Sequence, residues 1–190
     1  MPSDQDTKSS TTLQAALDYA AFGWPVIPGA IWHEGHFAHP ADESPVSDPC
    51  LRPIEEATTS TARVREWWSV PGLHLPNVFT VTSARLGSIM VAESLVMDLA
   101  DNPRFATRPT PVLAFPNMPM AYFLVRPPIP SVLLGNQARV LDPGIPLPMP
   151  PSALGGTPAI WLVTPEESGN VLLTGDELAK LIEITERKSA

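Results

Sequence analysis

The 190-residue chain has a single cysteine, Cys50, and only three lysines, Lys8, Lys180 and Lys188. One cysteine excludes an internal disulfide and fits a reducing compartment. The formal charge of −8 and the lack of any basic stripe disfavour a broad, sequence-independent grip on nucleic acid, because that grip is made by many Lys and Arg displacing counterions from phosphates. No segment approaches 18 uninterrupted apolar residues, and the opening MPSDQDTKSSTT lacks the charged and then apolar order of an export signal. The expectation is a cytoplasmic protein with no membrane partner.

What the chain has in excess is proline: 24 residues, more than twice the usual share of about 5%. Each proline fixes φ and removes a backbone donor, so loops, edge strands and extended joints are expected, with few long helices. The apolar spacing Leu13, Ala16, Leu17, Ala20, Ala21 predicts a helix after a disordered leader at 1–12, capped by Thr11 with Gln14 and stopped by Gly23. WPVIP reads as a short buried strand, and residues 29–56, which show no consistent period, as a long loop. Val64, Trp67 and Trp68 share one face of a helix ending near Pro71, where the indoles are expected to pack in the core.

NVFTVTS and GSIMVAESL read as strands, SLVMDLADNP as a turn or two of helix ending before Pro103, and TPVLAF, MAYFLVRP, ARVLD, IPLPMPPSALGG and AIWLVTP as further strands. TGDELAKLIEITER closes the chain as a helix with Thr174 and Glu177 as its capping box and Leu178, Leu181 and Ile182 inward. The fold class is therefore α/β (α+β): a small sheet with flanking helices, proline-rich loops and a C-terminal helix. The expected organisation is a domain over 13–165, with residues 166–190 packed on it as a helical extension.

The stretch IWHEGHFAHPADESPVSDPC places His33, His36 and His39 three apart and ends at Cys50. Three imidazoles and a thiolate would make a tetrahedral zinc set, but the spacing matches no common structural-zinc pairing and there is no second cysteine. The expectation is a polar loop with solvated or capped histidines rather than a zinc site.

In order along the chain, AALDYAAFGWPVIP, EATTSTARVREWW, LPNVFTVTS, TPVLAFPNMPMAYFLV and MPPSALGGTPAIWL resemble the N-terminal domain of the bifunctional DNA primase/polymerase family, over roughly Leu13 to Pro165. The resemblance implies an α/β primase core in which an Asp-x-Asp strand presents two carboxylates to two divalent metals. In this chain the matching positions are Ala92, Glu93 and Ser94, with Glu93 expected on the opposite face by strand alternation. The family's Gly-Gly-x-His loop is replaced by Pro116, Asn117, Met118 and Pro119, and the lysine of its early loop is missing. The late Pro-Pro-Ser survives at Pro150 to Ser152, where it is expected to shape a turn. The only Asp-x-Asp in the chain is Asp4 and Asp6, in the leader.

A primase/polymerase relative that has lost nucleotidyl transfer and acts as a binding or regulatory module is the resulting expectation, with an unidentified protein or nucleotide-like ligand as partner and no resident cofactor. One alternative is an active nucleotidyltransferase using Mg or Mn on relocated carboxylates, such as Glu93, Asp98, Asp101 and Asp142, near Ser152 and Arg126 or Arg139. Another is a small zinc-dependent interaction domain built on the His33 to Cys50 stretch.

Overall fold

The computed structural model describes residues 4–69, 72–130 and 134–189, in which helices and antiparallel strands alternate in an α+β arrangement. Its contacts divide the chain into two units, Met1–Val81 with Gly144–Ala159, and Thr82–Pro143 with Ile160–Ala190. These boundaries differ from one domain followed by an extension: residues 144–159 belong with the N-terminal part, and the last helix belongs with the middle of the chain.

In the first unit, helix α1 (Asp4–Ala21) begins ahead of the Thr11 box. Residues 4–12, expected to be a disordered leader, are thus part of the helix. Gly23, at φ +82°, reverses the chain into β1 (Val26–Gly29), since a left-handed turn suits a residue without Cβ. β2 (Ile31–His33) and β3 (His36–Ala38) form a hairpin, and Ile54–Glu56 is a 3-10 turn. The expected structureless loop is therefore corrected: Glu34 and Gly35, both at positive φ, make the two-residue turn that such a hairpin needs.

Helix α2 (Thr61–Trp68) is capped by Ser60 and buries Val64, Trp67 and Trp68, as the sequence predicts. β4 (Asn77–Val81) lies between β1 and a strand from the returning segment. Ile27, Phe79 and Val81 pack with Cys50. Gly29 is required beside Phe79, because a Cβ there would meet the ring at 2.8 Å.

In the second unit, β5 (Gly87–Ala92) leads into α3 (Glu93–Ala100) and then α4 (Pro103–Thr107). As expected, α3 ends before Pro103, and Pro103 then starts a second helix: Asn102 Oδ1 accepts from the Arg104 amide at 3.0 Å, and proline at the first position gives up an amide that would have no helical partner. β6 (Val112–Ala114), β7 (Met120–Val125) and β8 (Ala138–Val140) follow. The returning segment supplies β9 (Pro146–Pro148), β10 (Ala153–Leu154) and β11 (Thr157–Pro158) to the first unit. β12 (Ile160–Val163) and α5 (Gly175–Ser189) complete the second.

The second unit's sheet has the order β12-β6-β7-β5-β8, all pairs antiparallel. Its core joins Ile89, Val91, Phe123 and Val125 of the sheet to Leu95 and Leu99 of α3, Phe105 of α4 and Leu178 and Ile182 of α5. The Thr174 and Glu177 capping box forms as predicted, with the Glu177 carboxylate accepting from the Thr174 amide and hydroxyl, each at 2.8 Å. No helix among the described residues is long and apolar enough to cross a membrane.

Candidate functional site

Along β5, Ile89 and Val91 enter the core under the helices, so Ser88, Met90 and Ala92 take the opposite face by alternation. The strand was expected to continue through Ser94; it ends at Ala92 instead, and Glu93 and Ser94 are the first residues of α3. Two backbone bonds fix this ending. The Ala92 amide donates to the Gln137 carbonyl at 2.8 Å, and the Glu93 amide donates to the Pro119 carbonyl at 3.0 Å. Leu95 and Leu99, four apart and fully buried, then hold the helix to the core.

Ala92 is the N-cap of α3, at φ −63° and ψ 144°, and has no side-chain oxygen to offer the helix amides. Its register partner across the sheet is Met120. Ser94 Oγ donates to Gln137 Oε1 at 3.3 Å. The positions of the implied metal pair thus hold a methyl group, a neighbouring thioether and one engaged hydroxyl. Mg²⁺ and Mn²⁺ take oxygen ligands, carboxylates above all, so this donor set does not fit them.

Beside this turn lies a pocket of about 360 Å³ that includes Glu93, Val96, the Phe115 to Pro119 loop, Ile160 and Leu162. Ala114 and Ala121, paired across β6 and β7, also line it. Both also contribute to the core under the helices, and Met120, the register partner of Ala92, lines the pocket as well. Glu93, exposed, is its one charged lining residue. Pro116 and Pro119 have no amide hydrogen, and the Met118 amide already donates to the Phe115 carbonyl at 2.8 Å. A phosphate would meet an anion in the wall and, at Pro116, Met118 and Pro119, no free amide.

Glu93, Asn117 and Met118 therefore come together, while Ala92 and Ser94 point elsewhere. Ser152 has a different duty in the first unit. Buried, it accepts from the Val78 amide at 2.6 Å and donates to the Val78 carbonyl at 3.1 Å, tying the returning segment to β4. Asp98, Asp101, Asp142, Arg126 and Arg139 are exposed. Among the described residues, no three His, Cys, Asp or Glu side chains gather so as to hold a metal ion.

The histidines and Cys50 are likewise dispersed. His33 and His36 face each other across the hairpin, ring centres 6.2 Å apart, and His39 Nδ1 accepts from the Ala41 amide at 3.3 Å. Glu43, also at positive φ, sits 2.8 Å from His74 Nε2 and 3.6 Å from His33 Nδ1. Cys50 is buried against Phe79, and burial, with Asp48 nearby, pushes its thiol up to about 11. At neutral pH that thiol stays protonated, which opposes metal ligation.

Met120 and Gln137, which flank Ala92, and the pocket's Ile160 and Leu162 are not legible as site residues from motifs. A strand pairing of GSIMVA with MAYFLV would have found the first. The chain matches the family model described as bifunctional DNA primase/polymerase, N-terminal, over residues 16–171. No curated protein and no solved structure matches it significantly.

Proposed function

Because the chain belongs to the bifunctional DNA primase/polymerase N-terminal family, we propose that it keeps the scaffold without nucleotidyl transfer and works as a binding module, its site the pocket beside Glu93. The observation that carries this reading is that Ala92, paired with Met120, and Ser94, bonded to Gln137, stand where the resemblance implies metal-binding carboxylates. Two-metal phosphoryl transfer depends on cations that clamp both the attacking and the leaving oxygen. Removing a single preorganised electrostatic contact costs about 10²- to 10³-fold in rate, and here both anionic ligands are replaced.

The pocket supports the binding half of the proposal. Its walls are mostly apolar, with one amide side chain, Asn117, and one carboxylate, Glu93, which suits an apolar group that is neutral or cationic, such as a side chain of a protein partner. A nucleoside triphosphate is the opposite in charge. Titration of the full chain with each nucleoside triphosphate and MnCl₂ in a calorimeter is expected to give no saturable heat. Heat that saturates at one equivalent would contradict the pocket's assignment.

A further inference from the structure

α4 and α5 enclose a groove of about 260 Å³ in the second unit, and a smaller hollow of about 170 Å³ continues it toward the end of α5. Arg104, Leu181 and Ile184 line both. Arg108 and Lys180 border the first and Lys188 the second, so four of the chain's twelve cationic side chains surround one apolar floor. In a protein of net charge −8 this is a local reversal of sign.

Part of this charge is used by the fold. Arg108 meets Glu177 at 2.9 Å, Lys180 meets Asp176 at 2.6 Å, and Glu183 is taken by Arg187. Arg104 and Lys188 are exposed and, among the described residues, no carboxylate answers either of them. Lys188 still complements the negative end of α5. Arg104 lies within the single short turn of α4. Between them Ile184, 37% exposed, leaves an apolar side chain in the open above the buried Leu181.

Two cations with no carboxylate partner among the described residues, beside an exposed isoleucine, set the chemistry of an occupant. A bare phosphate chain gains nothing from the leucine and isoleucine floor, and two free cations are few for nucleic acid, whose binding sums over many neutralised phosphates. An acidic peptide segment with an apolar residue between its carboxylates satisfies both parts, since charge guides its approach and the apolar contact holds it. We propose that the α4/α5 groove docks an acidic, leucine-bearing segment of a partner protein. This surface is separate from the pocket beside Glu93.

The test uses the ¹⁵N-labelled full chain and the hexapeptide Glu-Asp-Leu-Leu-Glu-Asp, followed by amide chemical shifts. Saturable shifts are expected at Arg104, Leu181, Ile184 and Lys188, with affinity falling several-fold between 50 and 300 mM NaCl. R104E and K188E should each weaken binding about tenfold, and I184S several-fold, while R85E, an exposed arginine elsewhere in the unit, should leave it unchanged. Thermal melts of the four variants verify folding. No saturable shift by 5 mM peptide, or equal shifts with pyrophosphate or an oligothymidylate of the same charge, would overturn the proposal. So would an I184S protein that binds the peptide as well as wild type.

Discussion

The two units of this chain differ in where their chemically conspicuous residues lie and in what those residues do. The first carries four cationic and ten acidic side chains, three of the four histidines in one stretch, and the only cysteine. The histidines of the hairpin and the cysteine are taken up by structure: a hairpin, a loop clasp on Glu43 and a buried thiol. The second unit is closer to neutral, with eight cations and ten acids, and its strand β5 ends in an alanine paired with a methionine. Residue types that suggest chemistry are gathered in one unit, and the positions matched to the family's Asp-x-Asp lie in the other, where they are Ala92 and Ser94.

If the surviving Pro-Pro-Ser is architectural, Ser152→Ala should give the largest effect. It takes from the buried Val78 amide its hydroxyl acceptor, while the Val78 carbonyl keeps the Met149 amide, a cost of about 1–3 kcal/mol that urea denaturation would read. A fully stable S152A protein would mean that the serine is kept for something other than the fold.

The second unit predicts the reverse sign. Ala92 has N-cap geometry without a capping oxygen, so Ala92→Asp should stabilise α3 by about 0.5–2 kcal/mol, seen as a raised urea midpoint. An unchanged or lower midpoint would show that the site resists the carboxylate the resemblance implies.

A smaller effect is expected at the C-terminal helix. The Thr174 amide, then its hydroxyl, and Arg108 beside it hold the Glu177 carboxyl below the ordinary carboxylate range. A depressed folded-state value gives stability that is present above the unfolded value of about 4.3 and is lost as pH falls through the folded one. Glu177→Gln should therefore flatten the decline in melting temperature below about pH 5. A variant with the same acid profile as wild type would remove Glu177 from that account.

The smallest expected effect is none at all. Zinc bound at one site would add about 2.7 kcal/mol at a hundredfold excess over its dissociation constant. Tag-free protein should melt at the same temperature with or without zinc, and Cys50 should react with a thiol reagent only after unfolding. A zinc-dependent rise abolished by His33→Ala would restore the metal reading of the hairpin.

Much of the fold was legible because local chemistry agrees with it. The Thr174 and Glu177 box, the Trp67 and Trp68 face and the alternation in β5 and β7 are each specified within a few residues. The hairpin at Glu34 and Gly35 had a signal in its two-residue turn, hidden by the histidines around it. The end of α3 before Pro103 was legible, while the second helix that the same proline starts, capped by Asn102, was not. The identities of Ala92 and Ser94 could be read in the sequence, but not their separation onto a strand end and a helix. That separation depends on Gln137 and Pro119, distant in sequence. The pocket was hidden for the same reason, since Ile160 and Leu162 reach it only through the pairing of β12 with β6.

Primer synthesis tests the central claim most directly. Purified full-length protein, given a single-stranded template, all nucleoside triphosphates and Mn²⁺, should produce no labelled oligonucleotide and extend no annealed primer above background. Template-dependent product that disappears on adding EDTA would contradict the account, because metal ligands would then exist where Ala92, Met120 and Ser94 supply none.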